Sequence, residues 1–309
     1  MTSPPPPSVP ARSQYRDGLA LGIGAYAAWG VLPIYFKQLA GIPALAIVAH
    51  RIVWSMLALA MLSSVTGGWG AIRAAIANRA TLRLLATTAL LIGLNWLIYV
   101  YAINSGHILA GSLGYYLNPL ANILLGRFVL KEPLTRLQWL AVAIAAVGVA
   151  VLAVGAWTHL WISLTLCATF ATYGLLRKIA QVDSAAGLAI ETAILFPLAL
   201  GGLLVASATA ATPVWGTSNT QTLLLLLSGI LSTLPLLMFT AAARRLPYSM
   251  LGILQFIAPT IQFLIAILLY GEPVTNAHMI AFAAIWTAAT LYLISFWQSA
   301  RARPTPETS

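Results

Sequence analysis

Apolar residues come in ten runs along the chain, each close to the ~20 residues that an α-helix needs to cross a bilayer. They occupy residues 18–37, 43–64, 82–103, 108–130, 137–155, 158–178, 185–206, 221–243, 248–270 and 277–298. Between them lie short connections that hold Gly, Pro or charge: GIP after the first run, KEPLTR after the fourth, RRLPY after the eighth and GEPVTN after the ninth. A residue that precedes proline resists helical geometry, so the breaks at 132–133 and 272–273 are the sharpest. The pattern predicts an all-α membrane protein with ten transmembrane helices.

The runs repeat. YYLNPLANILLGRFVLKEPLT (115–135) and QFIAPTIQFLIAILLYGEPVT (255–275) align without a gap at an offset of 140 residues, sharing Pro119/Pro259, Leu124/Leu264, Glu132/Glu272, Pro133/Pro273 and Thr135/Thr275. At an offset of 144, Ala27 and Gly30 align with Ala171 and Gly174, and Trp29 falls opposite Tyr173. A fixed period is decisive for architecture. The expected organisation is a Pro-rich disordered tail (1–17), a first five-helix repeat (18–155), a second repeat (158–298) and a C-terminal tail (299–309). Five helices per copy is odd, so the second copy crosses the membrane inverted. With the N-terminus inside, every basic residue except Lys37, Arg51 and Arg127 falls in or beside an inside segment. That bias predicts both termini in the cytoplasm, with Arg127 snorkelling to the headgroups.

Polar positions inside the runs mark a candidate site. Tyr115, Asn118, Asn122 and Gly126 fall within an arc of roughly 80° on a helix, and their counterparts are Gln255, Ala258, Gln262 and Ala266. Pro119 and Pro259 each free the carbonyl four residues earlier, at Tyr115 and Gln255 on the same arc. Amides and freed carbonyls in hydrocarbon face protein or a cavity. The same amides also suit plain helix–helix contacts. Asn95 and Tyr99 make a second polar face, and Trp29 and Tyr173 are mid-helix aromatics.

Charge is scarce inside the runs. Counted at 1.5 Å per residue, Arg51 lies ~12 Å from one face and Glu191 ~9 Å from the other. Both are thus within about 6 Å of the midplane of a ~30 Å core. Glu191 is the one acidic residue well inside a run. An Arg51–Glu191 pair is the expectation, as an ion-coupling device centred on Glu191 or as a structural lock between the halves. His50 reads as a packing residue, and Asp183 as a helix cap.

Composition agrees with the pattern: 60% of the 309 residues are hydrophobic and 7% are charged. The net charge of +10 is explained by topology rather than by nucleic acid. Cys167 is the single cysteine, so no intrachain disulfide forms. There is no H-E-x-x-H, G-x-S-x-G or P-loop signature, and the loops are too short for a catalytic or ATP-binding domain.

Together, AYAAWGVLPIYFK (25–37), AHRIVWS (49–55), IGLNWLIYVYAIN (92–104), SLGYYLNPLANILLG (112–126), YGLLRK (173–178), PLLMFTAAARRL (235–246), LGILQFIAPT (251–260) and YGE (270–272) are a specific set. On these residues the chain resembles the RarD branch of the EamA transporters, in the drug/metabolite transporter superfamily. The resemblance implies two inverted five-helix halves, no metal or nucleotide cofactor, and movement of small molecules across the cell membrane. RarD proteins are commonly described as chloramphenicol-sensitivity permeases, which implies small organic solutes or drugs as cargo. The substrate-facing candidates are Trp29, Arg51, Asn95, Tyr99, Tyr115, Asn118, Asn122, Tyr173, Glu191, Gln255 and Gln262. The expected partners are a small-molecule solute and the lipid bilayer, with a homo-oligomer left open. The competing functions are a membrane enzyme acting on a lipid-linked substrate and a non-transporting membrane subunit.

Overall fold

Backbone N–H and C=O groups in hydrocarbon need partners within the chain, and helices supply them locally. The computed structural model describes residues 12–105, 107–209, 214–271 and 274–301, and over these the chain is helical almost throughout. In order the elements are α1 (Arg12–Gln38), α2 (Ala44–Thr66), α3 (Trp69–Ala77), α4 (Arg79–Asn104), α5 (Ile108–Phe128) and α6 (Arg136–Ala153). A 3₁₀ turn (Val154–His159) leads into α7 (Leu160–Ile179), α8 (Ser184–Ala208), α9 (Asn219–Arg245), α10 (Tyr248–Gln255), α11 (Ile257–Leu268) and α12 (Asn276–Arg301). Nine spans among the described residues are long and apolar enough to cross a membrane, α10 and α11 together making one of them. The 21-residue α5, which carries Asn118 and Asn122, stands beside them as a tenth helix of spanning length.

Three features differ from the apolar pattern. Helix α1 begins at Arg12, so residues 12–17 belong to it and not to a tail, and α12 likewise runs on to Arg301. The rest of the tails, residues 1–11 and 302–309, lies outside the described residues, as do Glu272 and Pro273. Helix α3 occupies a stretch too short to span. It forms because Ile72 and Ala75, three apart, bury one face while Arg73 and its neighbours stay out. The ninth span is broken: α10 stops at Gln255 and α11 starts at Ile257, where Pro259 has no N–H to return to the Gln255 carbonyl.

Side-chain caps fix several helix starts. Asn78 accepts from the Ala80 and Thr81 amides at α4, and Asp183 accepts from Ala185 and Ala186 at α8. Thr135 and Gln138 form a reciprocal capping box at α6.

Helix packing follows the sequence repeat. Helix α6 lies on α12, α5 on α10 and α2 on α8. In addition α1 packs on α9 as α7 does on α4, and α5 on α7 as α11 does on α1. Exchanging the first five spans for the last five maps this set of contacts onto itself. The backbone repeats too. Lys131 is in the left-handed region at φ 57°, and Gly271, 140 residues on, is there at φ 63°. Only one of the two copies meets that conformation with glycine, the residue that adopts it freely.

Candidate functional site

A cavity of about 180 Å³ lies between the two sets of helices. Its walls come from the parts of α1, α2, α4 and α5 nearer the 39–43 turn, from the middle of α7 and α9, and from the break between α10 and α11. Seven of the expected residues line it: Trp29, Arg51, Asn95, Tyr99, Tyr115, Gln255 and Gln262. Toward the Arg12 end of α1 the cavity is floored by packed rings. Trp29 and Phe170 meet edge to face at 5.9 Å, and Phe239 sits against both, with Tyr26 and Tyr173 behind.

Backbone chemistry places several of these side chains. Pro33 in α1 cannot donate to the Trp29 carbonyl, and the Gln262 amide donates to it instead at 3.1 Å. The Asn95 amide donates to the Leu166 carbonyl and the Thr169 hydroxyl, both at 2.9 Å, pinning α4 to α7. Tyr99 and Tyr115 pack edge to face at 5.5 Å. Arg51 donates from Nε to the Ser232 hydroxyl at 2.7 Å, and its guanidinium lies 5.3 Å from the Trp96 ring and 5.7 Å from the Phe36 ring.

The other four expected residues are elsewhere. Asn118 and Asn122 are 0% exposed. Asn122 donates to the Gln255 side chain at 2.7 Å, whereas neither side-chain atom of Asn118 is hydrogen-bonded. Tyr173 and Glu191 belong to a separate buried cluster. The expected Arg51–Glu191 pair does not form. Glu191 pairs with Arg177 Nε at 3.6 Å, and both side chains are at most 2% exposed. Depth alone does not decide the pairing: Arg51 and Glu191 are both near the midplane, but the cation on the side that Glu191 faces is Arg177 of the neighbouring α7. The Thr88 hydroxyl also donates to Glu191, and the Tyr173 hydroxyl donates to it at 3.3 Å. Arg177 donates in turn to the Ser184 carbonyl at 3.1 Å. The ion pair therefore lies within α7–α8, and Thr88 is what ties it to the first half. A void of about 20 Å³, bordered by Trp96, Tyr173 and Thr192, separates this cluster from the cavity.

The charge bias counts Arg177 only among the basic residues in or beside inside segments; the structure buries it against Glu191. The signal that finds it is the short 180–183 turn, which sets the last turn of α7 against the early turns of α8. Lys178 donates to the Ala243 and Leu246 carbonyls that end α9, a favourable position for a cation. Glu132, noticed only as a repeated residue, accepts from the Tyr248 amide at 2.6 Å and the Ser249 amide at 2.9 Å, at the start of α10. His50 is a packing residue, as expected. Trp54 donates to its Nδ1 at 3.2 Å, so Nε2 carries the proton that reaches the Val214 carbonyl at 2.9 Å.

The model of the EamA-like transporter family matches residues 16–154. An uncharacterised transporter of Pseudomonas aeruginosa is 44% identical over 96% of this chain and 99% of its own length. The protein RarD of Escherichia coli K12 is 40% identical over 91% of this chain and 95% of its own length. The chain belongs to the EamA-like transporter family, in its RarD branch. A crystal structure with 16% sequence identity superposes with a TM-score of 0.71 over 92% of this chain and 99% of the other, a likeness of fold. The family and the relatives' names point to a membrane transporter rather than to an enzyme.

In this EamA-like transporter the cavity predicts a labelling pattern. With Cys167→Ala as background, single cysteines at Tyr115 and Gln262 are expected to react readily with small water-soluble thiol reagents. Cysteines at Asn118 and Asn122 are expected to react at least about tenfold more slowly, because a closed site reacts only through its minor open population. Leu264, at 47% exposure, faces out of the bundle, and a thiol there is shielded by lipid. Equal rates at Tyr115 and Asn122 overturn the assignment.

Proposed function

We propose that this protein is a secondary transporter of small organic solutes in the cell membrane, working by alternating access at the cavity between two inverted repeats, 18–155 and 158–298. The observation that carries the reading is a broken symmetry. Asn122 and Gln255 are repeat counterparts of Gln262 and Tyr115. Asn122 and Gln255 are hydrogen-bonded to each other and buried, with Gln255 also bordering the cavity, while Tyr115 and Gln262 line the cavity with no such bond between them. Equivalent contacts, made on one face and unmade on the other, are what an inverted-repeat transporter needs to exchange its open side. The 39–43 face is taken as extracellular, which puts both termini in the cytoplasm and the Glu132 contact at the cytoplasmic end.

Glu191 serves in this reading as the ion-coupling residue. It releases Arg177 and takes a proton in one state, and is ionised and paired in the other, so that a proton gradient biases the exchange. The cavity is on the scale of a single-ring molecule, and a drug such as chloramphenicol requires a wider form.

Topology is tested first: a reporter fused after Arg136 should read cytoplasmic and one after Gly271 extracellular. The same compartment for both defeats the inverted repeat. Comparing metabolites in medium and cytoplasm, with the protein deleted and overproduced, tests transport itself. If no solute shifts in any condition, the transporter is not one of small organic solutes.

A further inference from the structure

Among the described residues, Arg51 is the only charged side chain in the cavity wall. Its charge has no acidic partner among the described residues. Glu191 is taken by Arg177, Glu132 by the start of α10, and Asp183 by the start of α8. The Trp96 and Phe36 rings beside the guanidinium offer their π faces, which compensate a cation only in part. Ser232 uses Nε, and among the described residues the two Nη groups donate no hydrogen bond. A guanidinium held in that way presents its planar end, the edge that receives a carboxylate through two parallel hydrogen bonds. Around it the wall is aromatic and amide: Trp29, Tyr99, Tyr115, Phe170 and Gln262 supply ring faces and neutral hydrogen-bonding groups.

We infer that the solute is a small organic monoanion, a carboxylate on a single apolar or aromatic body, bound with its carboxylate on Arg51 and its body among the rings. This rests on the transporter reading and narrows it. One guanidinium neutralises one charge, so a phosphate dianion is left half-paired in a wall without a second cation. A neutral or cationic solute leaves Arg51 uncompensated in a water-poor wall, or adds repulsion to it. The volume of about 180 Å³ sets the size. An apolar cavity of about 150 Å³ takes benzene, so a ring with one small substituent fits.

The test uses the full-length protein in lipid nanodiscs and three radiolabelled probes of one shape: benzoate, benzamide and benzylamine. Benzoate is expected to bind roughly tenfold to a hundredfold more tightly than either of the others, the range of a charge-assisted hydrogen bond. Arg51→Gln is expected to abolish that preference. Arg51→Lys keeps the sign of the charge but not the planar fork, so it should retain the preference at lower affinity and also show that the site still folds. The inference is overturned if benzamide or benzylamine binds as well as benzoate, if no probe binds, or if Arg51→Gln leaves benzoate affinity unchanged. Counterflow in proteoliposomes separates the two readings. Benzoate bound through Arg51 without counterflow defeats transport and leaves the anion site standing. Counterflow of benzamide as fast as that of benzoate defeats the anion site and leaves transport standing.

Discussion

Glu191→Gln is expected to lower the stability of the detergent-solubilised protein by about 3–5 kcal/mol, the cost of leaving a buried partner charge uncompensated. Arg177 is 1% exposed and held between the Glu191 carboxylate and the Ser184 carbonyl. Gly187 packs directly against its guanidinium. The double substitution Arg177→Met with Glu191→Leu removes both charges and is expected to recover most of the loss, since apolar replacements of buried pairs are often neutral or stabilising. Thermal unfolding of the parent, the single variants Arg177→Met and Glu191→Leu, and the double variant closes the cycle. Transport separates the two roles of Glu191. If it couples protons, Glu191→Gln abolishes pH-driven accumulation yet leaves solute exchange intact in the molecules that fold. If it is only structural, the loss is of folded protein, with accumulation per folded molecule unchanged. A Glu191→Gln protein as stable as the parent that still accumulates solute against a gradient defeats both roles.

The sequence carried the helices, because runs of ~20 apolar residues have few alternatives, and the 140-residue offset carried the architecture. The site was legible in part, for a reason that lies in the repeat. The arc of Tyr115, Asn118 and Asn122 has its counterpart in Gln255, Ala258 and Gln262 at the same helical spacing, so the repeat alone assigns both copies one environment. A single conformation of an inverted-repeat protein breaks that equivalence, and it seats Tyr115 in the cavity wall while burying Asn122 against Gln255. The buried ion pair was misassigned because helical counting gives depth but not azimuth. Arg51 and Glu191 are both near the midplane, yet the cation that reaches Glu191 is a hairpin neighbour whose position at a helix end looks solvent-facing. Helix α3 was passed over because the spanning-length criterion ignores short amphipathic segments.

Replacing Glu132 is expected to shift the transporter toward the opposite conformation. Its two carboxylate oxygens accept from the first two amides of α10, where unpaired N–H groups and the helix dipole both favour negative charge. Close by, Gly252 of α10 meets the Pro119 carbonyl of α5, an approach that a side chain would block, and Asn122 meets Gln255. These contacts join the two halves on the Arg12 face, so what weakens them weakens the closed side alone. Glu132→Gln keeps the shape and forfeits the charge assistance of two hydrogen bonds. A loss of about 2–3 kcal/mol from the closed side moves the ratio of the two states roughly 30- to 150-fold. The readout is reciprocal labelling in the Cys167→Ala background. A cysteine at Asn122 should react faster from the Arg12 face, and a cysteine at Tyr115 should react more slowly from the other. The second change is the discriminating one. A frayed α10 also exposes Asn122, but only a transition of the whole molecule covers Tyr115, because its repeat counterpart then closes on Gln262 as Gln255 now closes on Asn122. Faster labelling at Asn122 with Tyr115 unchanged reduces Glu132 to a helix cap, and no change at either position removes it from the gate altogether.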